Sequence, residues 1–136
     1  MRRLLLLLMA FLIAAPAFAR MGLRDGRGDY VPQVVLTYPT KETADLTGKA
    51  SLKFEWSSHE SASGMREYYD FRLYKGYDML EGALVMKERI DPNTCTIEVK
   101  QDLLADGQVY TWSVRQMFDG GRKSDRSYAS FKAIKR

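Results

Sequence analysis

LLADGQVYTWSVRQMF, residues Leu103 to Phe118, carries the pattern on which the reading of the fold turns. Two leucines and the turn dipeptide Asp106-Gly107 lead into a run that places Tyr110, Trp112 and Val114 on one side. Successive side chains of a strand point to opposite faces, so apolar residues at every second position predict a strand over Val109 to Phe118 with one face in a core.

The same period-two signal recurs along the chain in short runs parted by turn residues, with no amphipathic helix and no internal repeat. Gln33 to Tyr38 is a first run, closed by Pro39, and the polar stretch TKETADLTGK after it reads as a connection. Ala50 to Ser57 sets Leu52, Phe54 and Trp56 against Lys53 and Glu55 on the opposite face. After the polar loop SHESASGM, Glu67 to Lys75 turns Tyr69, Phe71 and Leu73 inward and Tyr68, Asp70, Arg72 and Tyr74 outward. Gly76 to Gly82 is a turn region, Ala83 to Ile90 a strand of ambiguous alternation, and Asp91-Pro92-Asn93 a turn signal. Thr94 to Val99 aligns Cys95, Ile97 and Val99 inward, and Tyr128 to Ile134 follows the polar loop GGRKSDRS. The runs predict an all-β domain, a single seven-stranded antiparallel β-sandwich with Trp56 and Trp112 in its core.

Leu103 to Arg115 resembles the fibronectin type III pattern, in which a leucine and a short turn precede a tyrosine at the start of the sixth strand. Tyr110 matches that tyrosine, Leu103 or Leu104 the leucine, and Trp56 the core tryptophan of the second strand. A further likeness is to the bacterial secreted variety of such modules. It rests on Pro32, Val35 and Pro39, on Phe54 and Trp56, on Tyr110, Trp112 and Val114, and on Ser127 and Phe131. The resemblance spans Pro32 to Ile134 and implies a fibronectin type III or immunoglobulin-like sandwich, with the Tyr110 hydroxyl bonded back to the backbone of the preceding link. Ala105 departs from it, standing where proline is common, and Ala83 to Ile90 carries no signature of it. These motifs are packing motifs, so they imply a fold and leave the role open.

The chain opens with MRRLLLLLMAFLIAAPAFAR, a short basic start, an apolar stretch and the small-x-small triplet Ala17-Phe18-Ala19. This predicts a secretory signal peptide over 1–19, cut between Ala19 and Arg20, then a flexible tail over 20–31 and the sandwich over 32–136. Cleavage removes two of the 21 basic residues, leaving 19 against 17 acidic ones, a net +2. That balance gives no basis for a nucleic-acid partner, and no second long apolar segment predicts membrane insertion after cleavage. Cys95 is the single cysteine, so the domain must hold without an internal disulfide, and a small buried core thiol is the expected role.

Catalytic chemistry has little to stand on. The single histidine, His59, sits in a polar loop among serines and Glu60, and no cofactor or metal is expected. Three binding features remain open. Arg27-Gly28-Asp29 in the tail is a weak adhesion tripeptide. Tyr68 and Tyr74 on one strand, with Tyr77 in the adjoining turn, offer an aromatic row for stacking on a polysaccharide. Arg122, Lys123 and Arg126 cluster positive charge in an end loop of the kind that a rigid sandwich displays. Together these readings predict an exported, non-enzymatic interaction module with a protein partner in the periplasm, envelope or extracellular space, and a polysaccharide-binding accessory protein as the alternative.

Overall fold

A computed structural model describes residues 31–58 and 65–136. The leader, the Ala19–Arg20 junction, the Arg27-Gly28-Asp29 tripeptide and His59 lie outside the described residues. Eight strands follow in chain order: β1 Val35–Tyr38, β2 Thr43–Asp45, β3 Ser51–Ser57, β4 Arg66–Lys75, β5 Leu84–Ile90, β6 Thr96–Lys100, β7 Val109–Phe118 and β8 Ser127–Ile134. They form a three-stranded sheet in the order β1-β3-β6 and a five-stranded sheet in the order β2-β8-β7-β4-β5.

The expected strand over Val109 to Phe118 is present over its full length, and every strand expected from the alternation appears. The count of seven and the uniformly antiparallel pairing are corrected. The polar stretch read as a connection contains β2, which pairs parallel with the end of β8, Ala44 opposite Ala133. Three residues carry little periodicity, but Ala44 and the following Leu46 are both buried, and that burial holds the segment against the second sheet. The chain thus leaves the first sheet after Tyr38 and joins the second at Thr43.

The core lies where the inward faces of the two sheets meet, as the alternation of Leu52, Phe54, Trp56, Tyr69, Phe71, Leu73, Tyr110, Trp112 and Val114 predicts. Phe54 stands edge-on to three rings at once, with centroids 5.3 Å from Phe71, 5.0 Å from Trp112 and 5.8 Å from Phe131. Such edge-to-face pairs add about 0.5–1.5 kcal/mol each beyond the area they bury. Cys95 is half-buried, a step outside the position expected of it. It precedes β6, packs on the rim of the core, and its thiol donates to the Tyr69 hydroxyl at 3.5 Å.

One inward position of β7 is polar. Gln116 is fully buried, donates from Nε2 to the Pro32 carbonyl, and accepts from Arg66 Nε at 3.2 Å. The amide nitrogen thus ties the segment entering β1 to β7, while the amide oxygen ties β7 to Arg66 of β4. Val31, placed by the sequence at the end of the tail, is buried beside it in the chain with Val34.

Candidate binding surface

The resemblance drawn from Tyr110 predicts a hydroxyl bonded to the preceding link, and the Tyr110 hydroxyl accepts the Ala105 amide hydrogen at 2.7 Å. The departure at Ala105 acquires a local meaning, because a proline there would have no N–H to give. Trp112 and Trp56 both lie in the core, as expected, but they differ at the indole nitrogen. Trp112 Nε1 donates to the Pro39 carbonyl at 2.9 Å, whereas Trp56 Nε1 is buried with no hydrogen-bond partner among the described residues.

The tyrosine row is overturned. Tyr74 is only 5% exposed, and its side chain is hydrogen-bonded to Arg72. β4 runs between β5 and β7, so its outward side chains have neighbours on both flanks, and arginines fold over them. Tyr68 is half-buried beneath Arg89, whose guanidinium carbon lies 4.5 Å from the ring centroid. Only Tyr77 stands open, at 73% exposure, in the loop beyond the far end of β4. Six residues of strand, roughly 20 Å, part Tyr68 from Tyr74, too far for one sugar ring to touch both.

The basic end loop is also not one patch. Arg122 pairs with Asp119 at 2.9 Å and lies over the Phe118 ring, and Lys123 is exposed beside it. Arg126 turns away from both onto the outward face of the five-stranded sheet. There its Nη2 meets Asp70 Oδ2 at 2.6 Å and its Nη1 donates to Ser113 Oγ at 3.3 Å.

That outward face holds what the sequence reading missed. Asp70 is nearly buried, and its carboxylate also accepts from Arg72, through Nε at 3.3 Å and Nη2 at 3.2 Å. Arg115 lies directly across from Asp70 on β7, but Arg72 and Arg126 already occupy the carboxylate. Burial first, and then the charge of Arg126, lower the pKa of the Arg115 guanidinium, whose Nε is buried without a hydrogen-bond partner among the described residues. Thr111 and Ser113, also outward on β7, are buried, Ser113 against Arg126 and Thr111 with its hydroxyl on the Gly76 carbonyl. Alternation turns these residues outward, but which of them face Asp70 and Arg72 is set by the order of the strands.

A second surface lies at the end of the sandwich where β4 passes into β5. Tyr77, Met79 and Leu80 are all exposed in one short loop, Leu80 at 65%. Gly76 starts the loop with φ of 84°, a left-handed conformation that glycine adopts without strain, and its amide bonds to the Val109 carbonyl at 2.7 Å. Among the described residues, no three His, Cys, Asp or Glu side chains are grouped so as to hold a metal ion. Nor, among these residues, is any helix long and apolar enough to cross a membrane.

No family model matches the sequence, and neither does any curated protein. Among solved structures the chain is similar to the fibronectin(III)-like modules of Clostridium thermocellum CbhA, with 20% identity and a TM-score of 0.52 over 75% of this chain and 97% of that one. The likeness extends to the fold. This chain has the fold of a fibronectin type III-like β-sandwich, with the short strand β2 paired parallel at the edge of its five-stranded sheet.

Proposed function

We propose that this chain is an exported, non-catalytic interaction module that joins a protein assembly of the periplasm, envelope or extracellular space through its β4–β5 loop. The leader-like first 19 residues support the export. The observation that carries the contact is the clustering of Tyr77, Met79 and Leu80 in water within one loop. Large apolar side chains grouped on a surface mark contact sites, and tyrosine and methionine are enriched at the cores of protein interfaces. Asp78 and Glu81 supply a polar rim to the same loop.

The test is a cross-linked pull-down from the native envelope and medium, comparing the parent chain with a Tyr77→Ser/Leu80→Ser variant. The parent is expected to recover one protein at near-equal stoichiometry and the variant to lose it with the melting temperature unchanged. Equal recovery by both would remove the loop from the contact.

A further inference from the structure

We propose a second binding surface, independent of the loop contact: the outward face of the five-stranded sheet takes an acidic polysaccharide built of uronic acids. Its carboxylates would lie on Arg115, Arg72 and Arg89, and a sugar ring on Tyr128.

The pairing register defines the surface. One row across the strands runs from Arg89 on β5 through Asp70 on β4 to Arg115 on β7. The next runs from Lys87 through Arg72 and Ser113 to Tyr128 on β8. Arg126 leans into the first row by its contact with Asp70. Within these rows Asp70 is the single carboxylate, and Arg72 and Arg126 hold it. Asp125 also acts on Arg115, but its influence is weaker than those of Arg126 and Arg72. The face therefore carries excess positive charge over low-dielectric sheet, where an arriving anion gains more than it would over water. Arg115 Nε, without a hydrogen-bond partner among the described residues, marks the place where that excess is least answered.

The class of anion follows from side-chain type and spacing. Guanidinium forks match carboxylates in two-point geometry, better than the point charge of an ammonium group. Arg89 and Arg115 stand two strands apart in one row, about 10 Å with Asp70 between them, which is close to the length of two sugar residues in an extended chain. Acidic side chains on one face of an extended peptide instead recur every ~7 Å. At the β8 side of the band Tyr128 is 66% exposed and leaves its ring available as a stacking platform.

The measurement is titration calorimetry of the whole chain with polygalacturonate, with dextran as a neutral polymer and poly-glutamate as an acidic peptide. Polygalacturonate is expected to bind, dextran to give no signal, and poly-glutamate to bind about tenfold more weakly or less. Arg115→Gln should weaken polygalacturonate about tenfold and Tyr128→Ala several-fold. Tyr128 is exposed, so its variant keeps the fold and the test stands even if Arg115→Gln does not fold. Absence of polygalacturonate binding, or binding that neither variant changes, overturns the proposal. Equal binding of poly-glutamate overturns the glycan and assigns the face to an acidic polypeptide. The Tyr77→Ser/Leu80→Ser variant should bind polygalacturonate like the parent, so failure of the loop contact and failure of this one are separable.

Discussion

Tyr110 and Ala105 are joined across five residues of chain by a 2.7 Å bond from the Ala105 amide to the tyrosine hydroxyl, next to the buried Leu104. The link therefore enters β7 at a fixed angle, with the Tyr110 ring over Phe131 at 5.9 Å. Tyr110→Phe keeps the ring and deletes the acceptor. It should cost roughly 1–2 kcal/mol, because the Ala105 N–H loses its partner. Urea unfolding checks this: the midpoint should fall while the slope stays that of the parent.

The two core tryptophans offer a paired comparison. Replacing Trp112 by Phe removes an indole N–H that satisfies the Pro39 carbonyl, whereas the Trp56 N–H has no hydrogen-bond partner among the described residues to lose. Both changes leave a cavity, which is costly in a close-packed core. Trp112→Phe should nevertheless destabilise by about 1 kcal/mol more than Trp56→Phe, the worth of one net hydrogen bond. Equal losses in thermal unfolding would show that the Pro39 contact adds nothing.

Asp70 anchors the outward face of the five-stranded sheet. Asp70→Asn preserves shape but removes the charge that Arg72 and Arg126 share. The loss should be roughly 2–4 kcal/mol, since guanidinium groups would remain crowded with no counter-charge. Added salt should recover part of it by screening that repulsion, an effect the parent should not show to the same degree.

Alkaline pH isolates one buried hydroxyl. Burial, and after it the hydrogen bond from Cys95, push Tyr69 up to about 12. The unfolded chain ionises this group near 10, so it releases its proton before the folded chain does. Its contribution to stability is complete below pH 10 and is lost as pH rises from 10 toward 12. Melting temperatures of parent and Tyr69→Phe, compared from pH 9 to 12, should diverge over that window, with the parent falling more steeply.

The strands and the core were legible because each inward set repeats at the period of the strand with unambiguous residues. Tyr69, Phe71 and Leu73 read as one face from sequence and are fully buried. β2 was not legible, since Thr43–Asp45 offers a single inward residue and its partner is 89 positions away, Ala44 against Ala133. The surface failed for a related reason. Tyr68, Asp70, Arg72 and Tyr74 were correctly assigned outward, but outward residues of an inner strand are shaped by the strands beside them. Whether Tyr74 is open or covered depends on Arg72 and on β5 and β7, and local alternation carries none of that. Arg126 illustrates the same limit, a loop residue by sequence whose guanidinium lands 56 positions back on Asp70.

The parallel pairing of β2 with the end of β8 also bears on how the module behaves under tension. Amides of Lys132 and Leu46 bond to the carbonyls of Glu42 and Ile134, at 2.7 and 2.8 Å. In a parallel pair the upstream end of one strand and the downstream end of the other point in opposite directions. A pull applied through both ends therefore slides the strands past each other and loads these bonds together, where an antiparallel terminal pair would be peeled apart one bond at a time. The short strand that the alternation did not reveal thus sets its bonds to β8, within the five-stranded sheet, to be loaded in shear.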